Sequence, residues 1–210
     1  MDGVLIDSEA AYANELIDVF GAHGLDVTKD EIYGLVGSSQ KTFTSSLARW
    51  FARNGLGAMT PDEAVALYNR WTAGSSYDYA ALLNPGVPET LAALRGRGVC
   101  LALASSSPLD NIQDVLGQCG IADMFEVVVS GEQFHESKPN PEIYLHTMSV
   151  LGLPAEACCC VEDSAFGIEA GKRAGLTVIA KREERFGFSQ DAADLVIDEI
   201  PELLTIAAAS

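Results

Sequence analysis

From Val87 onward the apolar positions alternate between two periods. Val87 to Arg97 repeats at helical spacing and leads into the unbroken apolar run Val99-Cys100-Leu101-Ala102-Leu103-Ala104. Ser107-Pro108 then supplies an N-cap with proline at the first helical position, which predicts a helix to about Cys119. Val127-Val128-Val129 predicts a second strand, and Asn140-Pro141-Glu142 the start of a helix ending near Gly152. Cys158 to Val161 reads as a third strand, Ala165 to Ala174 as a helix, Thr177 to Ala180 as a fourth strand and Leu195-Val196-Ile197 as a short last one. Short apolar strands separated by helices are what a parallel sheet covered on both faces requires. Right-handed crossovers make such a sheet open and doubly wound, so the fold class is α/β.

Residues 9–83 read as helices throughout, with no strand run. Thr28-Lys29-Asp30-Glu31 and Thr60-Pro61-Asp62-Glu63 are capping boxes, the second with proline at the first helical position. Behind the second, Val65, Leu67, Tyr68 and Trp71 recur at helical spacing, and Trp50, Phe51 and Trp71 are expected in the core of this segment. Asn84-Pro85-Gly86-Val87-Pro88 marks the return to the α/β part. The expected organisation is therefore an α/β core of residues 1–8 and 84–210 and an inserted all-helical cap of residues 9–83.

Composition narrows the partners. With 48% apolar and 20% charged residues the chain is an ordinary globular protein. A formal net charge of −17 repels nucleic acid and anionic membranes and gives anionic substrates no long-range attraction. Phosphate binding would rest on a local cation and a few placed donors. No run approaches a membrane span and no basic region precedes an apolar one at the N-terminus, so a cytoplasmic protein is expected; the sequence does not fix its oligomeric state, with a monomer favoured. Five cysteines without framework spacing argue against a disulfide scaffold. Cys158-Cys159-Cys160 cannot converge on a metal, because neighbouring strand residues point to opposite faces, so buried structural thiols are expected. His23, His135 and His146 lack ligand spacing.

Four polar clusters fall where strands end, and in a doubly wound sheet the ligand crevice lies at the carboxyl ends of the strands. They are Asp2-Gly3 with Asp7-Ser8, Ser105-Ser106-Ser107 after the first apolar run, Ser137-Lys138-Pro139-Asn140-Pro141, and Glu162-Asp163-Ser164. Carboxylates for Mg²⁺, a lysine, a serine and a free helix N-terminus are the parts phosphoryl transfer needs, because its charge spreads over three oxygens. Some of these residues read more simply as caps: Ser107 before Pro108, and Asp7-Ser8 before the first cap helix.

Taken in order, Val4-Leu5-Ile6-Asp7-Ser8-Glu9, Leu103-Ala104-Ser105-Ser106-Ser107, Ser137-Lys138-Pro139-Asn140-Pro141-Glu142 and Glu162-Asp163-Ser164-Ala165-Phe166-Gly167-Ile168 resemble the four motifs of the haloacid dehalogenase superfamily. The nearest branch is the one containing β-phosphoglucomutase and small sugar-phosphate phosphatases. The resemblance implies a Rossmann-like core with a helical cap. Asp2 would be the general acid/base and would lend Mg²⁺ its backbone carbonyl. Ser105 and the Ser106 N–H would hold phosphoryl oxygens with Gly3 beside them, and Lys138 would neutralise charge. Asp163 would coordinate Mg²⁺, with Glu162 as a ligand directly or through water.

Two departures qualify what the family implies. Its opening string is D-x-D-G-V-x-x-D-S-E, and here Met1 fills the first x, so the nucleophilic aspartate would lie one residue before Met1. A start placed at the methionine of D-M-D-G is the expected explanation, a truncated chain the alternative. The central strand before that aspartate would be missing too, leaving the strands that end at Ser105 and Asp163 without a shared partner. In the cap, Gln40 stands where a mutase would carry an arginine for a second phosphate, with Lys41 next, and Pro108 replaces a basic residue. The expected function is a Mg²⁺-dependent phosphohydrolase of a small phosphorylated metabolite, with a hexose-phosphate mutase or an inactive phosphate- or partner-binding chain as alternatives.

Overall fold

The structure is a computed structural model that describes residues 1–207. The chain divides into two compact units, residues 9–77 and residues 1–8 with 78–210. The first holds α1 (Glu9–Ala22), α2 (Lys29–Tyr33), α3 (Gln40–Arg53) and α4 (Pro61–Trp71). Both capping boxes form, with Thr28 and Thr60 each accepting from the backbone of the glutamate three residues on. Phe20, Leu47, Trp50 and Phe51 make the core of this unit. The Phe20 ring meets Trp50 at 5.7 Å and Phe51 at 6.1 Å, both edge to face. Trp71 is only partly buried and stacks on His23 at 3.8 Å. Trp50 is fully buried, so Trp50→Ala is expected to cost the helical unit about 3–5 kcal/mol in urea unfolding.

The second unit carries α5 (Val87–Gly96), β1 (Ala102–Ser105), α6 (Leu109–Gln118), β2 (Val127–Ser130), α7 (Glu142–Leu151), β3 (Cys159–Glu162), α8 (Ala165–Arg173), β4 (Thr177–Lys181), β5 (Leu195–Ile197) and a final α9 (Leu203–Ile206). All pairings between strands are parallel. They form two ladders, β1 with β2 and β3-β4-β5, and no strand among the described residues joins β1 to β3. One apolar cluster nevertheless spans both ladders. Val129 from β2, Ile143 and Tyr144 from α7, Cys160 from β3, Ile168 from α8 and Val178 from β4 pack together.

Three expectations shift. The first strand begins at Ala102 rather than Val99, in register with Val127, and Val99 is exposed. Of the strand cysteines only Cys160 is buried, and Cys159 is exposed, because successive side chains leave a strand on opposite faces. The helical unit ends at Tyr77, so residues 78–83 group with the α/β unit. There, Asp7 N–H donates to the Leu82 carbonyl at 2.8 Å, and the Asn84 side chain donates to the Val4 carbonyl at 2.8 Å. No helix among the described residues is long and apolar enough to cross a membrane.

Candidate active site

Because β1 and β3 run parallel to their neighbours, the loops after Ser105 and Glu162 open at the carboxyl ends of their ladders. Ser105 is buried, and its hydroxyl accepts the Ser107 N–H at 3.2 Å. The Ser130 hydroxyl donates to the Ser107 carbonyl at 2.8 Å. Gly131 packs so closely that a Cβ there would lie 3.0 Å from the Ser106 Cα. The end of β2 thus braces the 105–107 loop that follows β1.

The Ser107 hydroxyl does not cap α6. That helix has Pro108 at its N-cap without a side-chain cap bond. Ser107 Oγ donates instead to Asp2 Oδ2 at 2.8 Å, and Ser8 Oγ donates to Asp2 Oδ1 at 2.6 Å. Each oxygen of the Asp2 carboxylate therefore has one hydroxyl donor, and both donors are residues that local sequence reads as caps. The Asp7 carboxylate takes a two-pronged contact from Arg185.

At the end of β3, Ser164 is the N-cap of α8 and accepts the Gly167 N–H at 3.1 Å. This frees Asp163 from capping. Asp163 is buried, and its Oδ2 has no hydrogen-bond partner among the described residues. The carboxyl lies against Gly3, where a Cβ would overlap it, so the first and fourth clusters meet at that glycine. Burial, then the negative charge of Glu162, pushes the Asp163 carboxyl well above the usual carboxylate range. Its backbone carbonyl accepts from Gln190 Nε2 at 2.5 Å.

Lys138 forms an ion pair with Glu162, both side chains only 8% exposed. Its Nζ also lies 3.4 Å from the Ala104 carbonyl and 5.1 Å over the Tyr144 ring. The Tyr144 hydroxyl donates to the same Glu162 oxygen. Burial alone would raise the Glu162 carboxyl, but the Lys138 charge and hydrogen bond outweigh it and hold the group below its ordinary range. A Cβ on Gly167 would overlap the Glu162 carboxyl, so this carboxylate too sits against a glycine.

The expected metal set of Asp2, Glu162 and Asp163 does not present three converging carboxylates. Among the described residues no group of three or more His, Cys, Asp or Glu side chains is arranged to hold a metal. Asp2 turns its carboxylate to Ser8 and Ser107, and Glu162 turns Oε1 to Lys138 and Tyr144. Of the three carboxylates, Asp163 offers the buried oxygen that lacks a partner. Within the α/β unit the structure brings Asp2 to Ser107, Gly3 to Asp163, and Lys138 to Glu162 and the end of β1. Gln40 and Lys41 are exposed on the first turn of α3, in the helical unit.

Sequence reasoning passed over Tyr144, Arg185 and Gln190, and it favoured Ser8 and Ser107 as caps. Tyr144 had a faint signal, lying on the α7 face beside Ile143 and six residues after Lys138. Arg185 and Gln190 had none, because their partners are distant in the chain.

The haloacid dehalogenase-like hydrolase family model matches residues 1–181. Hexitol phosphatase B of Escherichia coli K12 is 30% identical over 210 residues, covering 97% of this chain and 91% of that protein. A phosphorylated carbohydrates phosphatase of Thermotoga maritima is 30% identical over 178 residues, covering 84% of this chain and 79% of that one. The crystal structure of CbbY from Rhodobacter sphaeroides in complex with phosphate superposes with a TM-score of 0.75 at 25% identity, covering 97% and 93% of the two chains. With its motif residues gathered on one α/β unit and most of its length matched, the chain belongs to the haloacid dehalogenase-like hydrolase family.

Proposed function

We propose that this chain hydrolyses a small phosphate monoester, a sugar phosphate by class, with Mg²⁺ as cofactor. The observation that carries the reading is the buried, unpartnered Asp163 Oδ2 beside the buried Lys138–Glu162 pair. An unpaired carboxylate oxygen in a dry site is costly unless a cation takes it, and a hard oxygen suits Mg²⁺. Asp163 and the Asp2 backbone carbonyl would hold the ion, which supplies charge stabilisation to the phosphoryl oxygens when bound. Glu162 serves the site through Lys138, fixing its ammonium, rather than as a direct ligand.

The remaining roles belong to the chain's own residues. Ser105 and the Ser106 N–H hold phosphoryl oxygens, and Lys138 neutralises the charge that grows on them. Asp2, oriented by Ser8 and Ser107, gives its proton to the leaving alkoxide as the ester P–O bond breaks. In the family's route an aspartate oxygen attacks phosphorus first, and water then cleaves the aspartyl phosphate. In the family's string that aspartate stands two positions before the general acid. Sugar phosphates are favoured by the names of the two phosphatase relatives. Gln40 and Pro108, which replace basic residues a mutase would use, favour hydrolysis. A cytoplasmic monomer is consistent with this chemistry.

The test uses glucose 1-phosphate with a trace of its bisphosphate. The 210-residue chain and the same chain extended by its upstream coding residues, if these end in aspartate, are compared. The extended chain is expected to release inorganic phosphate faster than it forms the 6-phosphate, and the unextended chain to show no turnover above background. Faster interconversion than hydrolysis would make the enzyme a mutase. Robust turnover by the unextended chain without a phosphoenzyme would remove the aspartyl-phosphate route.

A further inference from the structure

Between β4 and β5 a loop carries Glu183, Arg185 and Gln190, none of which belongs to the four clusters. Arg185 Nη1 and Nη2 reach the two oxygens of Asp7 at 3.0 and 2.7 Å, a fork on a carboxylate. Its Nε and Nη2 also reach Glu183, with distances of 3.0 and 2.5 Å to the nearer oxygens. Glu183 is buried, and its Oε1 accepts the Arg185 backbone N–H at 2.7 Å as well. The Glu183 N–H donates to Gln190 Oε1 at 3.0 Å, and the Gln190 amide donates to the carbonyls of Lys181 and Asp163. The fork on Asp7 therefore stands on a base tied to the ends of β4 and β3.

On its other side Asp7 is followed by Ser8, which is fully buried and donates to Asp2. We propose that Arg185 is a positioning residue for proton donation by Asp2, acting through Asp7 and Ser8. The proposal rests on the reading of Asp2 as the proton donor. The Arg185 and Asp7 side chains are 46% and 45% exposed, so their pairing adds little to stability. What it does add is direction. A planar guanidinium can hold Asp7 with one edge while Glu183 holds another, which a lysine cannot reproduce. The peptide at Asp7-Ser8 is thereby held in the register that delivers the Ser8 hydroxyl to Asp2.

The test exploits the leaving group. A sugar alkoxide needs a proton as it departs, whereas 2,4-dinitrophenolate does not. In the form of the enzyme that turns over phosphate esters, Arg185→Met should lower kcat/KM on a hexose phosphate by about 10- to 100-fold, within the range of general acid catalysis. On 2,4-dinitrophenyl phosphate kcat/KM should stay within about twofold, because binding and phosphoryl transfer to an acidic leaving group do not depend on Asp2's proton, and kcat/KM does not contain the later hydrolysis of the aspartyl phosphate. Arg185→Lys should not rescue the hexose phosphate rate. Asp7→Asn, which keeps the side-chain volume, should show the same split and serves if Arg185→Met folds poorly. Equal losses on both substrates, or none on either, would overturn the proposal. Asp2→Asn is the control for the underlying reading. If it shows no dependence on the leaving group, or if no form of the protein turns over, the assignment of Asp2 fails, and this proposal with it.

Discussion

Lys138→Ala is expected to abolish phosphate-ester hydrolysis and to destabilise the α/β unit by about 3–5 kcal/mol. Lys138 and Glu162 are both nearly excluded from solvent, so removing the ammonium leaves a buried carboxylate that has lost its ion-pair partner and keeps the Tyr144 hydroxyl. The loss in rate follows because the charge Lys138 neutralises is greatest in the transition state. The pH dependence carries the sign. In the wild type the Glu162 carboxyl is held below its ordinary range, so its contribution is present above the unfolded pKa and is lost as pH falls through the folded one. In the variant burial is unopposed by Lys138 and the folded pKa rises above the unfolded one, so the deficit should shrink on acidification. Lys138→Ala combined with Glu162→Gln should recover much of the stability but none of the activity. Asp163→Ala should abolish turnover too, yet with the opposite effect on stability. It deletes a buried carboxylate oxygen that has no partner, so metal-free protein should gain about 1–3 kcal/mol. Urea unfolding in the presence of a chelator, set beside turnover with Mg²⁺, checks both signs. Near-normal activity in either single variant would remove the site assignment.

Gly3→Ala is expected to lose turnover by more than about 100-fold, since displacing a catalytic group by an ångström costs that much. Gly3 has φ +67°, which an alanine adopts only with strain, and its Cβ would overlap the Asp163 carboxyl. Strain of about 1 kcal/mol and overpacking of about 1–3 kcal/mol act in the same direction. At Gly167 two effects compete. The residue lies inside α8, where alanine is intrinsically better by about 0.5–1 kcal/mol. The added Cβ, however, would fall on the Glu162 carboxyl, and overpacking of about 1–3 kcal/mol should win. Gly21 lies in α1 with open space around it, so that a Cβ there would meet nothing within 4 Å. Gly21→Ala should therefore stabilise by about 0.5–1 kcal/mol. Thermal melts of the three variants give this order directly, and an unperturbed, active Gly3→Ala protein would show that Asp163 is not held where the structure has it.

Local chemistry made much of this protein legible from the chain alone. The capping boxes at Thr28 and Thr60 form because their donors and acceptors lie three residues apart. The apolar runs at Val127, Thr177 and Leu195 became strands because their length and flanking turns admit little else. The cluster order also placed Asp2, Ser105, Lys138 and Asp163 on one α/β unit, since parallel strands gather their carboxyl ends. What the chain could not decide was the use of groups with several possible partners. A serine hydroxyl before a helix can cap it or reach across the fold. Ser164 caps, whereas Ser8 and Ser107 turn to Asp2. Glu162 could face a metal or a lysine, and the burial of Lys138 and Tyr144 beside it turned it to the lysine. Arg185 and Asp7 meet across 178 positions, a separation over which no periodicity or spacing carries information. Local bonds are determined by sequence distance, but these choices depend on which buried group would otherwise be left unpaired, and only the packed tertiary structure determines that.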